Sequence, residues 1–188
     1  DYLTKFTFQK FVEDIEESIK IFKNKLGYNP IYFSYPFGEY NLEQKNYISN
    51  NFEFAFGQHS GVIDLNKDRY ELPRFPINEK YGEIKRFKEV ISYLPLQYKI
   101  IKPENKFMND GENPPKMTIE FFKDQKNLEN INCFSNEGSK WRKTKIVLID
   151  NILNINFSEK FIERRGRINC SLKDENGWRF SGFQFVQN

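Results

Sequence analysis

At 188 residues, with 38% hydrophobic side chains, the chain has room for one large domain or two small ones with a true core. Lys+Arg of 29 against Asp+Glu of 26 leaves a net charge of +3, scattered instead of gathered into a basic stripe, which argues against nucleic acid as a partner. No apolar run reaches the roughly 18 residues a spanning helix needs, so no transmembrane segment is predicted, and the opening residues read as a helix, not a signal peptide.

In chain order, Phe8, Phe11, Val12, Ile15, Ile19, Phe22 and Leu26 recur at three- and four-residue steps with Glu and Lys on the other side, predicting an amphipathic helix capped by Thr7 and stopped by Gly27. Ile31–Tyr35 reads as a short buried strand ended by Pro36. Asn41 and Gln44 form a capping-box start for a helix through about Ser49, and Phe52–Phe56 is the next strand. Helix, strand, helix, strand at this spacing predicts a parallel α/β sheet. A loop over 57–70, a short strand at Tyr70–Phe75 and a helix from about Gly82 to Tyr93 follow, the last with Ile84, Phe87, Val90 and Ile91 on one side.

Residues 102–115 hold Pro103, Gly111, Pro114 and Pro115 and read as a linker. Beyond it the period changes to two. Met117–Phe122, Ile131–Phe134, Lys145–Ile149, Ile152–Phe157, Arg167–Leu172 and Trp178–Val186 are separated by turn signals at Asn136-Glu137-Gly138, Asp150-Asn151 and Asp174-Glu175-Asn176-Gly177, which predicts a small antiparallel β-sandwich. Cys133 and Cys170 fall inside two of these stretches, and read either as a disulfide, which points to an oxidising compartment, or as two buried thiols. Trp141, Trp178 and Phe180 read either as core or as platforms for sugar rings, with core the commoner outcome at strand positions.

Three groups of residues carry a resemblance: Tyr35-Pro36-Phe37-Gly38-Glu39-Tyr40, then Ala55-Phe56-Gly57-Gln58-His59-Ser60-Gly61, then Leu72-Pro73-Arg74-Phe75-Pro76. In this order they resemble the C-terminal half of the catalytic domain of polysaccharide deacetylases, carbohydrate esterase family four. The fold that follows is a partial (β/α) barrel-like α/β domain, truncated at its N-terminus, over residues 1–101, a linker at 102–115, and a small antiparallel β-sandwich module over 116–188. The activity implied is hydrolysis of N-acetyl groups on N-acetylhexosamine units of a surface or exported polysaccharide, with a divalent metal, zinc being the expected one. A periplasmic or extracellular location goes with it. The competing class is a non-catalytic carbohydrate-binding or export-associated protein with a degenerate cleft.

The resemblance also assigns roles. The backbone N–H of Phe37 is the expected donor to the oxyanion formed on the acetamide carbonyl. Tyr35, Pro36, Gly38, Glu39, Tyr40, Gln58, Ser60 and Arg74 are expected around the substrate. Arg74 stands where the family carries its general-acid His, and an arginine does not release the proton that role requires; His59, the single imidazole, reads either as that acid or as a hydrogen-bonding surface residue of its loop, the latter being the commoner case. Ser34 replaces an Arg that many members carry. Asp64 and Asp68 read as sugar-hydroxyl ligands or as a solvated loop, the latter being the commoner case. The adjacent His59-Ser60 pair lacks a Gly-x-Ser-x-Gly elbow and does not predict a serine hydrolase. The family's metal motifs, an Asp-Asp pair and a His-x-x-x-His, do not occur in the sequence. Asp1 aligns just past the second motif, so the expected partner is the missing N-terminal half of the same domain, and the chain by itself is expected to hold no metal and to be inactive.

Overall fold

The computed structural model describes residues 7–109 and 111–187. It is a mixed α/β structure of two compact units, one formed by the chain up to Gln58 with Leu65–Pro73, the other by His59–Asp64 with the chain from Arg74 onward. Asp1 lies outside the described residues.

In the first unit, helix α1 spans Phe8–Leu26. The Thr7 hydroxyl accepts from the Lys10 N–H, and Gly27 closes the helix at φ 83°, donating to the Lys23 carbonyl; a left-handed cap of this kind strains any residue with a Cβ. Strand β1 (Tyr32–Ser34) runs parallel to β2 (Phe54–Phe56), with Phe33 opposite Ala55. Between them helix α2 (Leu42–Asn51) begins with the expected capping box: Gln44 N–H donates to Asn41 Oδ1 at 2.8 Å and Asn41 N–H to Gln44 Oε1 at 3.0 Å. The helices cover one side of the strand pair, where Phe11, Ile15, Ile48, Phe52 and Ala55 form the core with Tyr35 and Tyr40. The other side carries Tyr32, 60% exposed, with its ring 5.8 Å from Phe54 and 6.4 Å from Phe56. The strand expected at Tyr70–Phe75 reduces to one parallel bridge between Leu72 and Phe56, closed by Leu72 N–H to Ala55 O and Gly57 N–H to Leu72 O, both at 2.9 Å. Among the described residues the parallel sheet is β1 and β2 alone, and no sheet closes into a barrel.

The second unit is mostly antiparallel sheet. Its elements are α3 (Ile84–Ile91), β3 (Leu94–Pro95), β4 (Ile100–Lys102), β5 (Phe107–Met108), β6 (Met117–Glu120), β7 (Asn132–Ser135), β8 (Arg142–Lys143), β9 (Lys145–Ile149), β10 (Ile152–Asn156), β11 (Arg165–Asp174) and β12 (Gly177–Gln187). One sheet runs β4-β6-β10-β9 and the other β3-β12-β11-β7-β8, with β5 also against β12. Alternation sends Met117, Ile119, Leu153 and Ile155 of the first sheet and Ile168, Cys170, Leu172, Phe183 and Phe185 of the second into one core. Cys133 and Cys170 are cross-strand partners on β7 and β11 and form a disulfide with Cα atoms 4.1 Å apart.

Two expectations change here. Residues 102–115, expected as a linker, are built into this unit. Phe107–Met108 pairs with Val186–Gln187, Met108 is buried, and the Asn113 amide donates to Phe161 O at 2.8 Å and Gln187 Oε1 at 2.7 Å. The prolines interrupt strands without freeing the segment. Helix α3 forms as its periodicity predicts, yet it buries no residue, and Ile84, Phe87 and Ile91 are exposed.

Candidate functional site

The Tyr35–Tyr40 segment follows the C-terminal end of β1, the edge at which open α/β sheets gather ligands. Two successive turns form there: Gly38 N–H donates to Tyr35 O at 2.8 Å and Glu39 N–H to Pro36 O at 3.2 Å. Phe37 takes φ 58° and Gly38 φ 68°. The first turn has the type II pattern, with Pro at its second position and a left-handed third residue, where Gly or Asn is usual. An aromatic there holds backbone strain of about 1–3 kcal/mol, of the sort that collects at functional positions. Gly38 is required twice over, because a Cβ on it would also stand 2.4 Å from the Gln58 nitrogen.

The side chains of this segment divide sharply. Pro36 and Phe37 are exposed, whereas Tyr35, Gly38, Glu39 and Tyr40 are buried. The rings of Tyr35 and Tyr40 lie 4.4 Å apart, and the Tyr40 hydroxyl donates to Glu71 Oε2 at 2.9 Å. Lys45 of α2 donates to Asp68 Oδ2 at 2.7 Å and to Glu71 Oε2 at 3.5 Å. Burial alone would lower the Lys45 ammonium, but the Glu71 and Asp68 carboxylates outweigh it and hold it above its ordinary value. Burial, then the Glu71 carboxylate, pushes the Tyr40 phenol well above its usual range; burial does the same to Tyr35, reinforced by Asp68 and Glu71. Asp68, expected as a sugar ligand or a solvated loop residue, is thus a partner of Lys45. Tyr35, Glu39 and Tyr40 lie on the buried side of the turn, leaving Pro36 and Phe37 as its exposed part.

Gln58 sits against Gly38 in the first unit, while His59, Ser60 and Arg74 belong to the second. There, Arg74 N–H donates to His59 O at 3.0 Å, and Gly61 bridges Ser181 of β12. Gly182 allows this approach, since a Cβ on it would fall 2.1 Å from Ser60 O. His59 and Ser60 are half-buried and the Arg74 side chain is exposed. Asp64 is buried and accepts from the Gln97 amide at 3.0 Å, so it is a structural acceptor in this unit.

Of the aromatic residues with two readings, Trp141 and Trp178 are about half exposed, at 51% and 46%, with Lys173 lying 5.9 Å over the Trp178 ring. Phe180 instead packs between Phe75 and Tyr93, each 5.5 Å away. The core reading therefore fails for both tryptophans: Trp141 comes just before β8 and Trp178 is the second residue of β12. Sequence reasoning missed Lys45 and Glu71, because nothing in a helix-face Lys and a loop Glu signals that they meet. It also missed Glu137, buried beside Ser135 and Thr144 and accepting from the Glu159 N–H at 2.8 Å; its place in a turn signal gave no hint of burial.

Among the described residues no three His, Cys, Asp or Glu side chains converge as a metal site, and both cysteines are in the disulfide. The described residues do not fit a zinc ion. No helix among the described residues is long and apolar enough to cross a membrane. No family model, curated protein or solved structure matches this chain.

Proposed function

We propose that this chain contributes the Tyr35–Tyr40 turn to a polysaccharide deacetylase that hydrolyses N-acetyl groups on N-acetylhexosamine units of a surface or exported polysaccharide. The observation that carries the reading is the Pro36-Phe37-Gly38 turn just past the end of a parallel strand, with Phe37 exposed and at φ 58°. As water attacks the acetamide carbonyl, negative charge grows on the carbonyl oxygen, and the backbone N–H of Phe37 is the donor that the resemblance assigns to it. Collapse of the tetrahedral species then releases acetate and the free amine. The divalent metal of such a site would come from residues other than those described here. A disulfide is compatible with the periplasmic or extracellular location that this activity requires.

The test begins with the coding sequence ahead of residue 1, which should encode an Asp-Asp pair and a His-x-x-x-His. A protein carrying both should release acetate from N-acetylglucosamine oligomers, and Gly38→Ala should reduce its kcat about a hundredfold by displacing the turn. Absence of both motifs, or full activity of Gly38→Ala, sinks the proposal. The second reading, a non-catalytic carbohydrate-binding protein, is favoured by the exposed Trp141 and Trp178. It predicts oligosaccharide binding by the present chain that Trp178→Ala abolishes.

A further inference from the structure

The outer face of β11 carries a cluster that neither of these readings uses. Alternation along β11 places Gly166, Ile168 and Cys170 in the core and turns Arg165, Arg167 and Asn169 the other way. Arg165 and Arg167 are therefore neighbours on one face, about 7 Å apart along the strand by its rise per residue. The Arg167 backbone is fixed on both sides: its N–H donates to Asn136 Oδ1 at 2.7 Å and its carbonyl accepts from Asn136 N–H at 3.1 Å. Its side chain is half-buried, and its Nε is buried with no hydrogen-bond acceptor among the described residues. Withdrawal from water, then the Arg165 charge, holds this guanidinium below its ordinary value, with Glu163 and Tyr81 opposing. Lys80 and Arg86 lie over the Tyr81 ring at 5.5 and 5.0 Å, adding positive charge to the same neighbourhood.

A buried guanidinium donor without an acceptor, beside a second guanidinium, costs free energy that an external oxyanion would relieve twice, by accepting the hydrogen bond and by cancelling the repulsion. We propose that Arg167, with the charge of Arg165 beside it, forms an oxyanion-binding site on the outer face of β11, suited to the carboxylate of an acidic sugar. The Nε–H and one Nη–H of a guanidinium are parallel and coplanar, which matches the two oxygens of a carboxylate; phosphate is the other source of the same chemistry. This site does not depend on the deacetylase reading.

The test uses the full chain at low salt, titrated with trigalacturonate, with inorganic phosphate and with neutral chitotriose, and followed by calorimetry. Trigalacturonate binds, chitotriose does not compete for the site, and Arg167→Gln weakens the anion about tenfold or more, as loss of a charge-assisted pair requires. Arg167→Lys also weakens it, because an ammonium lacks the planar fork. Phosphate binding that depends on Arg167, with no response to trigalacturonate, keeps the site and assigns it to phosphate. Should Arg167→Gln not fold, Arg165→Gln is read in its place, with anion affinity falling and its salt dependence flattening. The proposal is overturned if neither anion binds the unaltered chain, or if both variants bind as tightly as it does.

Discussion

The two units reach stability by different routes. The second closes two antiparallel sheets on one core and ties β7 to β11 through the Cys133–Cys170 bridge. The first rests its helices on one side of two parallel strands and leaves Tyr32, Phe54 and Phe56 on the other. Parallel sheets are ordinarily covered on both faces, and a two-stranded pair has little cooperative pairing of its own. What holds the first unit beyond its apolar core is a partly buried polar network, Lys45 with Asp68, Glu71 and Tyr40. The contrast is between a unit secured by packing and a covalent link and one secured in part by charge, so the two should fail under different insults.

The largest expected effect belongs to the second unit. The bridge closes a loop between residues separated by 37 positions, and in the chain-entropy picture its removal costs about 4 kcal/mol. Both tryptophans of the chain, Trp141 and Trp178, lie in this unit, so their fluorescence reports on it selectively. Replacing both cysteines by Ala should shift the tryptophan-detected urea transition sharply downward while leaving the first unit's response in place. Coincident loss of both units would break the comparison.

Next is Lys45→Met, which strands two carboxylates around a position only 10% exposed. Because Asp68 and Glu71 keep partial access to water, at 34% and 24%, the cost is discounted from that of a fully buried pair to about 2 kcal/mol. Far-ultraviolet dichroism should show helix loss at lower urea with the tryptophan transition unmoved. Alkaline pH attacks the same network. Tyr35, Tyr40 and Lys45 all bind protons more tightly folded than unfolded, so their contribution is complete below their unfolded values near 10 and is lost as pH rises above that. Helical signal should therefore fall above about pH 10 before tryptophan fluorescence responds. The second unit has a counterpart in Tyr93, pushed up to about 12 by burial and then by its bond to Glu89, so a smaller response is expected there too.

Much of this contrast was legible in the residues. Thr7, Gly27 and the Asn41–Gln44 box set helix ends by local hydrogen bonding, which a sequence displays directly. The period-two runs likewise gave the long strands of the second unit. What the sequence hid were β3, β4, β5 and β8, two- and three-residue strands that exist only because a neighbour's edge is available. The segment 102–115 was misread for the same reason: its prolines were visible and its partners on β12 were not. At the candidate site the Pro36-Phe37-Gly38 turn was legible as a motif, while the burial of Tyr35, Glu39 and Tyr40 was not: Tyr35 and Tyr40 join a core built from distant residues, and Tyr40 is held by Glu71.

The smallest expected effect sits at the β11–β12 hairpin and is the acid counterpart of the alkaline test. Asp174 accepts from Arg179 Nε and from the Asn176 N–H, and the Arg179 bond is the main reason its carboxyl is held below the usual 3.8. A carboxylate with a depressed folded value contributes stability that is present above its unfolded value and lost as pH falls through the folded one. Asp174→Asn should thus cost less than about 1 kcal/mol at neutral pH, as a single pair at a hairpin end allows. The cost should shrink toward zero as the pH drops below 3.8. Trp178, one residue past the turn glycine, offers the readout through urea transitions at a series of pH values. The turn bond to the Asn176 N–H can be made by an Asn oxygen as well, so a difference that stays constant down to about pH 2 would mean that the Asp174 charge is not the source of the cost.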